Sequence, residues 1–244
     1  MRIACLFTLL LAVGCGTDPD DPAADPTAET ADLPPVAEAP DDLAALGSEY
    51  VETPLQNAAV DVHHVRLPAG ASLAAHRGGD RVVYALDAYT LRFDTDGETE
   101  DRSFARGDVH AHAAGVHSVE NTGDTEADFL VFERRDGVLP ASAAEGDTPA
   151  PTPGEGTTDE VVFDGELAEV HRVTLQPGAQ LPPHRGYARA IYSLSGYTVE
   201  FSGPDGTREQ RFEPGQAHYH DPGDHTVENA GDTVAEFLVV EFKR

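Results

Sequence analysis

The stretch GDVHAHAAGVHSVEN at residues 107–121 returns as GQAHYHDPGDHTVEN at residues 215–229, so that His110, His112 and His117 are matched by His218, His220 and His225. The separation is 108 positions, and the same separation links His63 to His171 and His76 to His184. Carried outward, residues 63–134 align with 171–242 without a gap and share about 33 identities. A register held over that length marks a duplicated structural unit. Each copy is built of short runs with period-2 alternation, clearest in the first at Val60–Leu67, Arg81–Leu86, Tyr89–Phe93, Val109–His112, Val116–Asn121 and Ala127–Glu133. Pro68-Ala69-Gly70, Asp96-Gly97, Gly107-Asp108 and Gly123-Asp124 break these runs. Six to eight strands in about 85 residues predict an all-β sandwich or jelly roll. Only Asp41–Leu46 reads as helical.

The flanks divide the chain. Residues 1–15 (MRIACLFTLLLAVGC) place an apolar run between Arg2 and Cys15, too short to span a bilayer and suited to a secretory signal. They resemble a bacterial lipoprotein signal in which Leu11–Cys15 is the lipobox and Cys15 is acylated. Cys5 would leave with the signal, which excludes a disulfide or cysteine zinc site in the mature chain. Residues 16–47, rich in Asp, Pro and Ala, read as a disordered tether. The repeats then occupy 48–135 and 158–244, separated by a polar linker at 136–157. With 16 Lys and Arg against 44 Asp and Glu, the formal charge of −28 disfavours nucleic acid and anionic lipid as partners. The expected contact with a membrane is the lipid anchor alone, in the bacterial cell envelope. A homodimer through an outer face is left open.

Gly70-Ala-Ser-Leu-Ala-Ala-His76-Arg-Gly78, its copy Gly178–Gly186, and the two stretches quoted first carry a resemblance to the cupin superfamily. They follow its motifs G(x)5HxH(x)3–4E(x)6G and G(x)5PxG(x)2H(x)3N, the second with one residue missing. The chain looks closest to small bacterial cupins associated with β-alanine degradation. The resemblance implies two tandem cupin jelly-roll β-barrels. It also implies metal ligands at both histidines of HxH, at a nearby carboxylate and at the histidine of the second motif. Here Gly78 and Gly186 stand where the second HxH histidine belongs, and Arg81 and Arg189 lie nearest the glutamate position. His76 with His117, and His184 with His225, remain.

Two imidazoles rarely hold a divalent ion, because structural sites use about four protein ligands and catalytic sites about three with water. His110 and His112, like His218 and His220, share one strand face and could add a third ligand if they point inward. One Fe, Mn, Ni, Cu or Zn per barrel is then the expected cofactor. Arg81 and Arg189 would share a face with Val83 and Ile191, and the resemblance implies that this face points into the barrel. A buried guanidinium cannot shed its charge and calls for an anionic partner, either an internal acid, a surface acid such as Asp80, or a ligand. Tyr84 and Tyr192 are candidate ligand-binding or proton-donating groups, and His64, which has no counterpart, is expected at the surface. No GxSxG elbow, phosphate loop, dinucleotide fingerprint or HExxH motif occurs. The leading expectation is therefore a barrel that binds a small, anionic organic molecule. A metal-dependent oxygenase or isomerase is the alternative, and a non-catalytic envelope scaffold the third.

Overall fold

The computed structural model describes residues 42–135, 153–204 and 206–243. The signal peptide, Cys15, residues 16–41 of the tether and 136–152 of the linker lie outside the described residues. The first repeat comprises β1 Val51–Gln56, β2 Val60–Leu67, β3 Ser72–Gly78, β4 Arg81–Ala85, β5 Tyr89–Thr95, β6 Glu98–Phe104, β7 Val109–His112, β8 Gly115–Asn121 and β9 Ala127–Arg134. The second comprises β10 Thr157–Asp164, β11 Ala168–Leu175, β12 Gln180–Gly186, β13 Arg189–Ser193, β14 Tyr197–Gly203, β15 Gly206–Phe212, β16 Ala217–His220, β17 Gly223–Asn229 and β18 Ala235–Phe242. From β2 to β9 every strand has its copy displaced by 108 residues at both ends.

Each repeat folds as two antiparallel sheets face to face. One has the order β1-β2-β9-β4-β7 and the other β3-β8-β5-β6, and the second repeat copies both as β10-β11-β18-β13-β16 and β12-β17-β14-β15. The alternation of β2, β4 and β9 sends Val65, Val83, Phe129 and Val131 into the barrel, with Leu73, Leu91 and Val119 from the facing sheet. The opposite faces of these strands are apolar too. Val62, Val82, Leu130 and Phe132 of the first repeat form one core with Val170, Ala190, Leu238 and Val240 of the second. Burial on both faces explains the continuous apolar runs Val82–Leu86 in β4 and its exit and Phe129–Phe132 in β9.

Three strands per repeat escape a reading by alternation. β6, Glu98–Phe104, is exposed along nearly all its length and forms a charged sheet edge, so no apolar face exists to betray it. β3 is centred on the poor strand formers Ala74 and Ala75, and β1 is irregular, with a register shift between Glu52 and Leu55. The motif asparagines are structural. Asn121 Nδ2 donates to Leu67 O at 2.8 Å and Thr125 O at 2.7 Å, and Asn229 repeats this at Leu175 O and Thr233 O.

Two expectations are corrected. Residues 42–47 are ordered rather than tether: Asp42 Oδ1 accepts the Ala45 N–H at 2.7 Å, a short 3-10 turn spans Ala44–Leu46, and Leu43 packs into the first barrel's core. His64 is buried rather than superficial. Its Nε2–H donates to Asp128 at 2.6 Å, and its Nδ1 accepts the Tyr192 O–H at 3.0 Å across the junction of the repeats.

Candidate functional site

Strand pairing lines up four inward polar side chains at one end of each barrel. In the first repeat Asp61 pairs with Glu133, Glu133 with Arg81, and Arg81 with His112. In the second, Glu169, Glu241, Arg189 and His220 occupy the same places. Both arginines therefore point inward, as the shared face with Val83 and Ile191 predicts. The four acids were not singled out from sequence. Glu133 alternates in phase with Phe129 and Val131, and Glu241 stands at its repeat position, which is the signal that would have found them.

Arg81 Nη1 donates to Gly79 O at 3.0 Å and Nη2 to His117 Nε2 at 3.1 Å. Arg189 Nη1 donates to Tyr187 O at 2.8 Å and Nη2 to His225 Nε2 at 2.9 Å. Burial pulls both guanidinium groups below their ordinary value, opposed by Glu133 and Glu241 respectively. Neither has a carboxylate within ion-pair distance among the described residues. Asp80 pairs instead with Arg134 at 2.7 Å. Glu133 spends Oε1 on the Gly79 N–H at 2.9 Å and buries Oε2 without a partner. Desolvation pushes Glu133 and Glu241 above the usual carboxylate range.

The glycines that replace the HxH histidine have a steric cause. A Cβ on Gly78 would lie 2.6 Å from Arg81 Nη1, and one on Gly186 would meet the Arg189 guanidinium as well as His225 Cε1 at 2.9 Å. The guanidinium fills the space that a side chain there would enter.

His76 and His117 face each other with ring centroids 4.4 Å apart, and His184 and His225 at 4.2 Å. Carbonyls fix their tautomers: His76 Nδ1–H donates to Ala74 O at 2.9 Å, His184 Nδ1–H to Pro182 O at 2.8 Å and His225 Nδ1–H to Gly223 O at 3.2 Å. Each then presents an Nε2 lone pair, and in His225 that lone pair accepts from Arg189. His110 and His112 also point inward, bonded to each other at 2.7 Å, with His110 stacked on Phe104. His218 stacks likewise on Phe212, and both of its ring nitrogens are buried without partners. Burial and the neighbouring arginine push His117 down to about 3 and His225 to about 4, so these rings are neutral at pH 7.

Tyr84 and Tyr192 are not brought to this site. They alternate onto the outer face and join the core between the repeats. Tyr197 lines the second barrel's cavity instead.

The lumens differ. The second encloses about 260 Å³, lined by Arg189, Glu241 and His171 towards the end that carries the polar row and by Leu181, Ile191, Val199 and Phe237 further along the barrel. The first retains about 30 Å³ because Leu43 enters it. Arg81 and His117 there also border an outer groove of about 670 Å³ with Asp96, Glu98 and Glu100.

A cupin-type divalent ion needs a third and fourth donor. No group of three His, Cys, Asp or Glu side chains converges on a metal position among the described residues. A guanidinium donates to the ring nitrogen that would have to face the ion, which both occupies the lone pair and sets a fixed positive charge beside the site. The donor set does not fit a cupin metal, although the tautomers are those a cation requires.

No family model matches the chain, and no curated protein matches it significantly. Solved structures do. AerE from Microcystis aeruginosa is similar at 16% identity and a TM-score of 0.55, over 80% of this chain and 92% of that one. Lactobacillus farciminis oxalate decarboxylase, in its formate complex, is similar at 17% identity and a TM-score of 0.56, over 77% of this chain and 78% of that one. Bacillus subtilis oxalate decarboxylase, a protein with Mn(II) centres, matches at 16% identity and 0.55, over 78% and 74%. These spans exceed one repeat, and they show the fold as two tandem cupin jelly-roll barrels.

Proposed function

We propose that this double-cupin chain binds a small organic anion inside a barrel, with Arg189, and in the first repeat Arg81, as the anion-holding residues. The carrying observation is a buried guanidinium on the cavity wall with no carboxylate at ion-pair distance among the described residues. Burial of that charge favours whatever anion can reach it. The neutral His225 beside it adds no charge, and the other cationic groups of the lumen, His171 and Arg185, are matched by carboxylates. A thermal-shift screen of carboxylates and sugar acids on the full chain tests this. Stabilisation by at least one acid is the expected outcome, and a flat response across the panel refutes it in favour of a scaffold role.

The metal-dependent enzyme is the second reading, supported by the Nε2 lone pairs of His76 and His184. Elemental analysis of tag-free protein beside His117→Ala/His225→Ala decides it. Near-stoichiometric Fe, Mn, Ni, Cu or Zn that the variant loses would establish the metal, and its absence after metal is offered would remove it. We also place the protein in the bacterial envelope, anchored through acylated Cys15. Palmitate labelling that Cys15→Ser abolishes is the expected result.

A further inference from the structure

We infer that the second barrel takes a monocarboxylic acid with a compact apolar body, one molecule per chain, its carboxylate on Arg189. This rests on the anion reading of the same site and narrows it.

The count of charges around the lumen limits the ligand to one carboxylate. Three cationic side chains line it: Arg185, His171 and Arg189. Arg185 is answered by Asp224 at 3.7 Å. His171 lies between Asp159 and Glu169, each at 2.8 Å, so that both of its ring nitrogens face a carboxylate. Arg189 alone has no carboxylate at that range among the described residues, and its bonds to Tyr187 O and His225 leave the rest of its five N–H donors unassigned. One carboxylate on the ligand finds this fork. A second would meet Asp159, Glu169 or Glu241 on the same wall and be repelled.

The part of the lumen beyond this polar end decides the body. Leu181, Ile191, Val199, Val227 and Phe237 offer no hydrogen-bonding group, so each ligand hydroxyl laid against them loses its water, at a cost of roughly tenfold in affinity or more. An aromatic ring or branched alkyl group gains there. The volume of about 260 Å³ lies below the range that holds drug-sized molecules, roughly 300–1,000 Å³, which suits a body of benzoate or 3-methylbutanoate size.

The first barrel offers no equal. Leu43 fills its lumen to about 30 Å³, and the groove through which Arg81 can be approached presents Asp96, Glu98 and Glu100 in place of an apolar wall.

Calorimetric titration of the full chain with benzoate, 3-methylbutanoate, succinate and glucuronate tests the inference. Expected are one site per chain and at least tenfold tighter binding of benzoate or 3-methylbutanoate than of succinate and glucuronate. Succinate or glucuronate binding as tightly, or two equal sites, overturns the inference and leaves the anion reading standing. No binding of any of the four overturns both. In Arg189→Lys the affinity for benzoate should fall at least tenfold, and an unchanged Kd in a folded variant places the anion elsewhere and overturns both. If that variant does not fold, nuclear Overhauser contacts between benzoate ring protons and the methyl groups of Leu181 and Ile191 decide the matter in the unmodified protein. Their presence upholds the inference and their absence overturns it.

Discussion

The two repeats share strands, register, the acid–acid–arginine–histidine row and the facing imidazole pair, yet one lumen is filled and the other open. The difference begins at a single inward position. His63 of the first repeat bonds Thr53 Oγ1 at 3.0 Å and leaves Nε2 buried without a partner, while the nearby Asp61 pairs with Arg135. Arg135 also holds Asp42 at 3.3 Å, and Asp42 seats the turn that inserts Leu43. His171, the copy of His63, is instead clasped by two carboxylates and keeps the mouth of the second lumen polar. Duplication preserved the frame because backbone pairing and both core faces depend on it. The lumen could diverge because its contents answer to one or two side chains at its end.

Several perturbations break or sharpen this contrast. The largest effect is expected where the repeats are not separable. Phe132 is fully buried in the common core, so Phe132→Ala should cost about 3–5 kcal/mol. Denaturant unfolding followed by circular dichroism should show both repeats lost in one transition, and two separated transitions would mean that the common core does not couple them. Leu43→Ala should cost about 2–3 kcal/mol, the low end for a buried leucine because the residue sits at the barrel's end. It should also open the first lumen, read as faster hydrogen exchange at the His76 amide with no change at the amide of its copy, His184.

Alanine at the two equivalent glycines should separate the repeats in the other direction. Gly78→Ala and Gly186→Ala both push on a guanidinium, at about 1–3 kcal/mol each, and Gly186→Ala should be the more damaging since His225 is in its way too. Equal midpoint shifts in urea would show that both arginines yield alike. The smallest effect is a pH dependence of opposite sign. Burial lowers His63 below 6.5, so the folded state binds its proton less readily than the unfolded chain, and stability drops as pH falls below 6.5. His171 is raised above 6.5 by Asp159 and Glu169 despite the opposing effect of burial. Its contribution is fully present below 6.5 and is lost as pH rises through the folded value. His63→Gln should therefore make the acid limb of midpoint against pH shallower, the rest of that limb coming from His117, His225 and the other depressed histidines, and His171→Gln should do the same to the limb above 6.5. A variant that leaves its limb unchanged would refute the corresponding assignment.

Much of the fold was legible along the chain. The repeat at 108 positions, the turn glycines and a strand such as Tyr89–Phe93 follow from periodicity, because an alternating strand with one buried face writes its burial into its residues. The same rule put His110 and His112 on one face and Arg81 on a face with Val83, but which face was inward came from the resemblance for the arginines and was left open for the histidines. Only the tertiary structure decided which charges meet. Glu133 comes opposite Arg81 through pairing of strands some fifty residues apart. Tyr84 and Tyr192, which alternation places outside the barrel, were drawn into a second core that exists only because two repeats pack together. His64 became buried for that reason, and Leu43 closed a lumen from a segment whose local composition marks it as tether. Local pattern records which face a residue shows, but not what packs against that face, since the partner is supplied by chain distant in sequence.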